Sequence, residues 1–549
     1  MKVVTVAQMR AIEAAADAAG HSYAAMMERA GRAVAEVLLH RMDVKGRRVL
    51  VLVGPGNNGG DGLVAARFLA QAGADVACFL TRPRDPRQDE NFRRLQEMHI
   101  PCVLANDANN QALRRRAASA DVIVDALLGT GTGLPVTGTV AQVLRAVGEA
   151  LTQPVPPTAG WLSLDGVPCP PSSPSRPLVV AVDGPSGLDF DSGALDEAAL
   201  RADVTVTFAY PKRGHFRFPG AAARGELVVA DIGTDPALAG GVTLEVATPE
   251  KIRALLPPRP PDAHKGTFGR ALIVAGSANY TGAARLAGAA AVRAGAGLVT
   301  VALPASIHTA VAAGLPEATY LLLPHELGVV ARSAVEVLTE RLDQFDALLI
   351  GPGLGRDPET AAFLTELLVG PQQRTVGFLR QGEEPARRPP LPSLVVDADG
   401  LNLLAEVEGW SARLPTETVL TPHPGEMARL MGVSVADVQS DRVEVARRQA
   451  KEWGHVVVLK GAYTVVAAPD GRAALEPFAN PGLATGGTGD VLAGTIVALR
   501  AQGLGPFDAA LVGAYLHGLA GELAAAELTA AGMAAGDLLR FLPAAWRRL

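Results

Sequence analysis

Short apolar runs alternate along the chain with segments whose apolar residues recur every three or four positions. The helical spacing of Met9, Ile12, Met26 and Val34 predicts two amphipathic helices within residues 8–41. The predicted strands are residues 48–53, 75–80, 122–124 and 178–182, followed by 271–275, 298–301, 347–350, 393–396, 418–420 and 456–459. Strands that alternate with helices predict an α/β fold built on doubly wound sheets.

The chain is too long for one domain. A length of 549 residues predicts at least two domains, each able to bury a core of its own. Residues 248–266 are rich in proline and typical of a linker, so we predict domains at 1–245 and 246–549. Two other proline-rich segments, 152–177 and 370–393, lack apolar periodicity and are interpreted as surface insertions without a catalytic role. The alternatives are that the first alters the pocket rim or an oligomer contact and that the second alters access to the site.

Composition excludes several classes of protein. A net charge of −6 gives no electrostatic reason to expect nucleic acid or an anionic membrane as a partner. Cys78, Cys102 and Cys169 are widely spaced and form no CxxC pair, which argues against a disulfide framework or a zinc site. The first residues lack the apolar core of a signal peptide, and no apolar run reaches the roughly 18 residues of a membrane helix. We therefore expect a soluble cytoplasmic protein.

A glycine-rich turn, GPGNNGGDG at residues 54–62, follows the first predicted strand and leads into a helical pattern. Strand, glycine turn and helix form the arrangement that cradles phosphate in doubly wound sheets. Asn57, Asn58 and Asp61 stand where a plain dinucleotide-binding fold needs only small residues. Their amide and carboxylate oxygens are therefore candidates to face a ligand.

Polar side chains also follow two later strands of the first domain. Asp125 comes directly after the third strand, and Asp183 and Ser186 follow the fourth. Ligands of open α/β sheets bind at the carboxyl ends of strands, so we expect these residues and Asn58 to converge. Oxygen donors with one carboxylate suit a weakly held monovalent cation better than zinc. Taken alone, Asp125 is also explained as a helix N-cap or a turn residue.

The second half places chemistry at its strand ends in the same way. The segments are GPGLG (351–355), DADGLN (397–402), TPHPGE (421–426), KGAYT (460–464) and the helix-opening NPGLATGGTGD (480–490). Glycine turns and helix N-termini bind phosphate, and Asp490 is placed to accept a proton from a hydroxyl group, which together favour phosphoryl transfer. The alternatives are that Asp490 is an N-cap, His423 a turn histidine and Lys460 a solvated strand end. The chain has neither a Walker GxxxxGK[ST] motif nor a protein-kinase HRD set.

Several motifs of the first half resemble the amino-terminal domain of the YjeF family, the NAD(P)H-hydrate epimerases. They are NNGGDG (57–62), Asp125 with TGTGL (130–134), VDGPSGLD (182–189) and TFAYPKRG (207–214). The resemblance covers nearly all of residues 1–240 and implies a Rossmann-like three-layer domain.

This resemblance implies that Asn58, Asp125 and Ser186 hold a potassium ion and that Asp183 is the catalytic acid or base. The implied substrate-binding residues are Asn57, Asn58, Gly59, Gly60, Asp61, Gly129, Thr130, Gly131, Thr132, Gly133, Leu134 and Pro135. One departure is Gly184, where the family more often has isoleucine. We expect it to remove packing behind Asp183.

The second half resembles the ribokinase-like domain of the ADP-dependent NAD(P)H-hydrate dehydratases. The motifs HKGTFG, GSANYTGA, GPGLG, DADGLN, TPHPGE, KG and GGTGD occur in this order within about residues 255–545. The resemblance implies that Ala283, Gly353 and His423 contact the hydrated cofactor and that Asp490 is the catalytic base. The implied nucleotide-binding residues are Lys460, Gly461, Ala462, Tyr463, Thr464 and Gly489. Magnesium and ADP are implied with them.

The two resemblances together imply a bifunctional nicotinamide-nucleotide repair enzyme. One domain would epimerise R- and S-NAD(P)HX, and the other would dehydrate the S epimer to NAD(P)H while ADP is converted to AMP and phosphate. Family membership also implies a homo-oligomer. The alternative is an ATP-dependent kinase of a small hydroxylated metabolite, with a first domain that only binds a regulatory nucleotide.

Overall fold

The computed structural model describes residues 1–105, 110–131, 133–152, 176–370 and 390–549. Thr132 and most of the two predicted insertions lie outside the described residues. The chain forms two compact units, Lys2–Val242 and Thr243–Leu549, with Met1 joining the second. The units divide at 242/243, whereas the sequence predicts a boundary at 245/246.

The first unit is a seven-stranded sheet with helices on both faces. Its strands are β1 (Arg48–Val53), β2 (Asp75–Leu80), β3 (Cys102–Leu104), β4 (Val122–Ala126), β5 (Leu178–Val182), β6 (Val204–Phe208) and β7 (Glu226–Ala230). Its helices are α1 (Val6–Ala18), α2 (Tyr23–Arg41), α3 (Asn57–Gln71), α4 (Glu90–Glu97), α5 (Asn110–Ser119) and α6 (Gly138–Thr152). The strand order is β3-β2-β1-β4-β5-β6-β7 and every pairing is parallel.

The alternating side chains of β1 show how the layers form. Val49, Val51 and Val53 pack with apolar residues of α2 and α3, whereas Leu50 and Leu52 point to the other face and pack with α5 and α6. Both faces of a parallel strand are buried, which is why β1 is apolar without interruption from Val49 onward. The prediction of a Rossmann-like three-layer domain is confirmed.

The second unit is built on a ten-stranded sheet. The strands are β8 (Leu244–Val246), β9 (Arg270–Val274), β10 (Leu298–Pro304), β11 (Thr319–Leu323), β14 (Ala347–Ile350), β15 (Ser393–Val396), β16 (Val419–Leu420), β17 (Val456–Leu459), β18 (Val465–Ala467) and β19 (Ala473–Leu475). A separate two-stranded ribbon joins β12 (His325–Glu326) and β13 (Val329–Val330). The large sheet runs β11-β10-β9-β14-β15-β16-β17-β18-β19-β8, parallel from β11 to β17 and antiparallel across β18.

Twelve α-helices accompany this sheet in the described part of the second unit. They are α7 (Pro249–Leu255), α8 (Thr281–Arg293), α9 (His308–Ala312), α10 (Ala334–Thr339), α11 (Pro358–Val369), α12 (Asp399–Leu404), α13 (Pro424–Met431), α14 (Val435–Ser440), α15 (Arg442–Trp453), α16 (Thr488–Ala501), α17 (Pro506–Leu528) and α18 (Ala535–Arg548). Helices α8, α16, α17 and α18 form one continuous core with one face of the sheet. Helix α17 is long and apolar enough to cross a membrane, but most of its apolar stretch is buried in this core.

Some predicted boundaries differ from the observed ones. The turn predicted over residues 54–62 is shorter, because α3 already begins at Asn57 after the N-cap residue Gly56. Strand β4 continues to Ala126, so Asp125 lies inside the strand rather than after it. The predicted linker 248–266 contains α7, which begins with Thr248 as its N-cap and Pro249 at its first position.

Candidate active sites

A cleft of about 680 Å³ opens at the carboxyl ends of β1, β4 and β5 in the first unit. Its lining includes the predicted residues Asn57, Asn58, Asp61, Gly129, Thr130, Gly131 and Asp183. Arg10, Glu13 and Tyr23 from the two N-terminal helices also line it, and the sequence did not identify them. Gly59 and Gly60 lie behind the lining, buried in the first turns of α3. The topology has thus brought residues from well-separated parts of the chain to one place.

The glycines of the first turn are required by close backbone approaches. A Cβ on Gly54 would lie 1.6 Å from the carbonyl oxygen of Leu127, and a Cβ on Gly59 would lie 2.1 Å from the carbonyl oxygen of Gly54. Gly56 has open space where its side chain would be. The turn therefore packs tightly against the neighbouring strand connection while one of its glycines leaves room beside the cleft.

Asp183 is held by a buried lysine. The ammonium group of Lys212 donates to Asp183 Oδ1 at 2.5 Å, and the hydroxyl of Thr207 donates to the same oxygen at 2.8 Å. Burial alone would raise the pKa of Asp183, but the charge and hydrogen bond of Lys212 outweigh it and the pKa is lowered. Asp183 is therefore a carboxylate near neutral pH. Thr207 and Lys212 lie in the TFAYPKRG motif, which could have identified them.

His215 fixes the backbone of Asp183, which has a positive φ of 65°. The backbone N–H of Lys212 donates to His215 Nδ1 at 3.1 Å, so the proton of the neutral ring is on Nε2, which donates to the carbonyl oxygen of Asp183 at 3.0 Å. Burial, reinforced by the charge of Lys212, lowers the pKa of His215 to about 3. A neutral His215 thus supports a strained backbone at the proposed acid or base.

Two further carboxyl groups face Asp183 across the cleft. Burial raises the pKa of Asp61 well above its ordinary value, and the charges of Asp183 and Glu13 raise it further. Burial also raises the pKa of Glu13. The cleft therefore combines one ionised carboxylate with two carboxyl groups that hold their protons more strongly than usual. Such a combination can both accept and donate protons.

Asp125 and Ser186 meet as the sequence predicts. Ser186 donates to Asp125 through its backbone N–H at 2.8 Å and through its hydroxyl at 2.6 Å. Asp125 is completely buried, burial raises its pKa, and the ion pairs of the described residues do not include it. Asn58 is also buried, and its Nδ2 has no hydrogen-bond partner in the described part of the chain. Oxygen donors around one buried, uncompensated carboxylate fit a monovalent cation.

The end of the predicted substrate-binding segment, residues 133–135, lies away from this cleft. Leu134 and Pro135 line a separate pocket with Val136 and Asp196, and the described lining of the main cleft does not include Gly133. Thr132 lies outside the described residues. The structure therefore brings only Gly129, Thr130 and Gly131 of this loop to the cleft, because the chain turns away toward α6.

The expectation that Gly184 leaves a gap behind Asp183 is wrong. A Cβ on Gly184 would lie 2.6 Å from Cζ of Phe190 and 3.3 Å from Nε2 of His215. The ring of Phe190 packs edge-on against His215, with 5.4 Å between ring centroids. The space that a larger side chain would occupy is filled by Phe190.

In the second unit, Lys460 lies at the centre of a group of acids. Its ammonium nitrogen is 2.7 Å from Asp397 Oδ1 and 3.6 Å from Glu426 Oε2. Burial would lower the pKa of Lys460, but the charges of Asp397 and Glu426 raise it. The alternative that Lys460 is a solvated strand end is wrong. The other carboxylate oxygen of Asp397, Oδ2, is buried and has no partner within the described residues.

Asp490 lies in the first turn of α16, beside this group. The N-cap of the helix is Gly487, with φ 91°, so the alternative that Asp490 is the N-cap is wrong. Burial raises the pKa of Asp490 to about 7, the charge of Asp397 adds to this, and the charge of Lys460 opposes it. A Cβ on Gly489 would lie 3.4 Å from Nζ of Lys460. This approach places the glycine next to the lysine.

His423 and Glu426 form the start of α13. The backbone N–H of His423 donates to Glu426 Oε2 at 2.7 Å, and the backbone N–H of Gly425 donates to His423 Nδ1 at 2.9 Å. His423 is therefore the N-cap, as the turn-histidine alternative suggests, but its ring is half exposed and remains accessible. Burial lowers the pKa of His423 and raises that of Glu426 to about 7. Glu426 was not identified from the sequence, although it belongs to the TPHPGE motif.

The predicted nucleotide-binding segment is held from behind by Arg442. The guanidinium group donates to the carbonyl oxygens of Leu459 at 2.8 Å, Lys460 at 3.0 Å and Ala462. Burial lowers the pKa of Arg442 to about 10. Tyr463 has a positive φ of 53° and is buried, and the hydroxyl of Thr464 donates to the carbonyl oxygen of Gly461 at 2.9 Å. Arg442 has no motif around it that could have marked it in advance.

Ala283 and Gly353, two predicted substrate contacts, are neighbours. A Cβ on Gly353 would lie 2.6 Å from Cβ of Ala283, and the hydroxyl of Ser277 donates to the carbonyl oxygen of Gly353 at 2.9 Å. They lie at the carboxyl ends of β9 and β14, on the sheet edge that also carries Asp397 and Lys460. The described residues contain no cluster of three or more His, Cys, Asp or Glu side chains that could hold a metal ion by itself.

Comparison with known proteins agrees with this architecture. Residues 23–214 match the family model described as YjeF-related protein N-terminus, and residues 271–544 match the model described as NAD(P)H-hydrate dehydratase. The bifunctional NAD(P)H-hydrate repair enzyme Nnr of Moorella thermoacetica is 41% identical over 533 residues, which cover 95% of this chain and 92% of that protein. The enzyme of the same name from Thermofilum pendens is 38% identical over 554 residues, covering 100% and 97%. The chain therefore belongs to the family of bifunctional NAD(P)H-hydrate repair enzymes, and the family predicted from its motifs is confirmed.

A solved structure matches the second unit. It is the ADP/ATP-dependent NAD(P)H-hydrate dehydratase from Bacillus subtilis co-crystallized with ATP/Mg2+, which is 33% identical to this chain. The match covers 55% of this chain and 98% of that chain, with a TM-score of 0.46.

Proposed function

We propose that this chain is a bifunctional enzyme that repairs hydrated nicotinamide nucleotides. The first unit interconverts R- and S-NAD(P)HX, and the second dehydrates S-NAD(P)HX to NAD(P)H while ADP is converted to AMP and phosphate. The main support is that each unit places one acid beside a glycine-rich turn and that the pKa values of the two acids are shifted in opposite directions. Asp183 is an ionised carboxylate beside one turn, and Asp490, with a pKa of about 7, follows the other.

In the first unit, Asp183 is the acid or base that moves protons at the hydroxyl-bearing end of the substrate. Lys212 keeps the group ionised and fixes its position, and His215 fixes its backbone. Asp61 and Glu13, whose pKa values are raised by burial, are the candidate proton donors across the cleft. Asn57, Asn58, the glycines of α3 and the loop residues Gly129, Thr130 and Gly131 bind the nucleotide.

Asn58, Asp125 and Ser186 hold a potassium ion in this proposal. The buried and uncompensated charge of Asp125 supports it, because a carboxylate without a cation is costly in the protein interior. When bound, the ion supplies positive charge beside the glycine turn, where a nucleotide phosphate is expected. The neighbouring backbone N–H groups and Asn58 orient the substrate.

In the second unit, Asp490 accepts the proton of the ring hydroxyl as its oxygen attacks the β-phosphorus of ADP and the bond to the AMP oxygen breaks. The bond between the ring carbon and the ester oxygen then breaks, inorganic phosphate leaves with the bonding electrons, and loss of a proton from the adjacent ring carbon restores the double bond. A base with a pKa of about 7 is well matched to this first transfer near neutral pH. Ala283, Gly353 and His423 position the ring.

Lys460, Gly461, Ala462, Tyr463, Thr464 and Gly489 surround ADP in this proposal. Asp397 is the described residue whose chemistry best fits magnesium, because its Oδ2 is buried and has no partner among the residues described. Bound magnesium would neutralise charge on the phosphates. We also propose a cytoplasmic homo-oligomer that acts on small molecules, without nucleic acid or membrane as a partner, which the net charge of −6 supports.

The test follows recovery of the dihydronicotinamide absorbance from a mixture of both NADHX epimers with ADP, magnesium and potassium. We expect full recovery with the intact protein, none with Asp490→Asn, and recovery that stalls after the S epimer is consumed with Asp183→Asn. Asp470→Asn, an exposed acid of the second unit paired with Arg472, is the matched control and should behave like the intact protein. A stable phosphate ester in place of restored absorbance would contradict the proposal and indicate a metabolite kinase.

A further inference from the structure

A basic loop lies against the glycine turn of the first unit. It follows β2 and carries Arg82, Arg84 and Arg87 within the segment TRPRDPR. Strand β2 is the immediate neighbour of β1, from which the glycine turn begins, on the side away from Asp183. The loop is therefore placed at the far end of any nucleotide whose reactive ring reaches Asp183.

Hydrogen bonds fix this loop to the turn. Thr81 donates to the carbonyl oxygen of Val53 through its backbone N–H at 3.0 Å and through its hydroxyl at 3.2 Å. Arg84 donates to the carbonyl oxygen of Gly54 at 2.6 Å and to that of Gly56 at 3.3 Å. Gly56 also lines the cleft that contains Asp183. Cleft, glycine turn and basic loop are thus continuous.

The three arginines are not equivalent. Arg84 is largely buried, and its guanidinium group is already engaged with Asp89 as well as with the two glycine carbonyls. Arg82 is exposed, and it makes no hydrogen bond or ion pair within the described residues. Arg84 therefore shapes the loop, while the charge of Arg82 is available to a ligand.

In doubly wound sheets, the residue at the position of Arg82 contacts the adenosine ribose and discriminates between cofactors. Where a strand ends in a G-x-G-x-x-G turn, the residues that follow the next strand lie beside the adenosine ribose. An acidic residue there binds a free 2′-hydroxyl, whereas an arginine accommodates a 2′-phosphate. Gly54, Gly56 and Gly59 have this spacing, and the position after β2 carries Arg82 with no carboxylate before Asp85.

We propose that Arg82 binds the 2′-phosphate of the adenosine ribose and makes the first unit selective for NADPHX over NADHX. The inference rests on the proposed epimerase function and names its substrate class. A guanidinium group contacts a phosphate through two charge-assisted hydrogen bonds, and an exposed contact of this kind is worth roughly fivefold to tenfold in affinity.

The test measures kcat/KM for epimerisation of NADPHX and of NADHX by the full chain, the Arg82→Ala variant and the Arg115→Ala variant. Arg115 is an exposed arginine of α5 and serves as the matched control. We expect the intact chain and the control to prefer NADPHX, and Arg82→Ala to lower the NADPHX-to-NADHX ratio about fivefold to tenfold. An unchanged ratio in Arg82→Ala would overturn the inference while leaving the epimerase function intact.

A binding measurement separates this inference from catalysis. Adenosine 2′,5′-bisphosphate and 5′-AMP differ only in the 2′-phosphate, so the affinities of both compounds are compared for the full chain and for Arg82→Ala, whose second unit is the same. We expect tighter binding of the bisphosphate, with the advantage lost in Arg82→Ala and weakened by salt. Equal affinities for the two compounds would overturn the inference, whether or not the chain epimerises NADPHX.

Discussion

Each candidate site contains a buried lysine–aspartate ion pair, but the two pairs are associated with opposite shifts in the pKa of the candidate catalytic acid. In the first unit, Lys212 pairs with the candidate catalytic acid itself, Asp183, and the pKa of Asp183 is lowered. In the second unit, Lys460 pairs with Asp397, a neighbour of the candidate base, and the pKa of Asp490 rises to about 7. A lysine at a strand end therefore does not by itself say whether the nearby acid is ionised. What decides it is which carboxylate the ammonium group contacts.

The largest effect is expected from removal of Lys212. Lys212→Met leaves the carboxylate of Asp183 buried without its cation, so its pKa should rise and the first unit should lose about 3–5 kcal/mol of stability. We expect epimerisation to fall by about a hundredfold or more, while a dehydration assay with S-NADHX changes little. Epimerisation and thermal unfolding of the same preparation provide the measurement.

A double variant keeps this prediction interpretable. Lys212→Met with Asp183→Asn removes both charges, so it should recover much of the lost stability but none of the epimerisation. Near-normal epimerisation by folded Lys212→Met would show that the pair is not needed for the reaction.

The pH dependence should differ between the two sites. Asp490 must be deprotonated to act as a base, so dehydration should rise about tenfold per pH unit below about 7 and level off above it. Asp183, whose pKa is lowered, is already ionised throughout this interval, so epimerisation should not rise across it. Both rates are measured from about pH 5.5 to about 8.5.

Glu426 has a pKa of about 7 as well and requires a control. If Asp490 is the base, the dehydration rate of the Glu426→Gln variant should still rise with pH below about 7. A dehydration rate that no longer rises with pH in Glu426→Gln would contradict the assignment of Asp490 as the base. An epimerisation rate that rises over the same pH interval would contradict the predicted difference between the two sites.

A smaller effect is expected behind the nucleotide-binding segment. Arg442→Met removes the donors to the carbonyl oxygens of Leu459, Lys460 and Ala462, so the segment should lose its fixed shape. We expect the KM for ADP to rise about tenfold, with less change in kcat and none in epimerisation. Arg448→Met, at an exposed position of the same helix, is the matched control. Equal KM values for ADP in the two variants would contradict a role of Arg442 in shaping the nucleotide-binding segment.

The smallest predicted effect concerns a buried acid without a lysine. Glu476 is buried, and neither carboxylate oxygen has a partner in the part of the chain described, so burial raises its pKa well above the ordinary value near 4.5. The unfolded chain loses this proton more readily than the folded one, so the second unit should lose stability as pH rises above about 4.5. The free energy of unfolding of Glu476→Gln should therefore exceed that of the intact chain by about 1–3 kcal/mol near pH 8 and by much less near pH 4.5.

Denaturant unfolding at the two pH values, with ADP absent, measures this difference. Glu522→Gln, at an exposed acid of α17, is the comparison variant. A Glu476→Gln variant that is less stable than the intact chain near pH 8 would mean that Glu476 has a partner when ionised.

Part of the element order could be predicted from the sequence: ten strands of the two large sheets were expected, whereas β3, β6, β7, β8, β11, β18 and β19 were not. Short runs rich in valine, such as 49–53 and 456–459, favour buried strands, and parallel strands bring their carboxyl ends to one edge. Asp125, Asp183 and Ser186 were expected together for this reason; the structure pairs Asp125 with Ser186 and places Asp183 and Asn58 on one cleft. The seven ordered motifs of the second half likewise identified the family.

The partners inside each site could not be predicted in this way. Glu13 comes from a helix near the start of the chain, and nothing in its spacing shows that the helix lies over the cleft. Leu134 and Pro135 were assigned to the nucleotide site with their neighbours, yet the chain direction after Gly131 takes them to another pocket. Arg442 precedes the segment it supports by 17 to 20 residues and is marked by no motif.

The fold class, the family and the candidate site residues at strand ends could therefore be predicted from the sequence, because these depend on local apolar pattern and on the order of motifs. Which acid has a lowered pKa and which has a raised one depends on contacts made only in the folded structure. The contacts that set this join residues 29 positions apart for Lys212 and Asp183, and 63 apart for Lys460 and Asp397. A pKa depends on burial and on charges within a few ångströms, and both are fixed only when distant elements pack together.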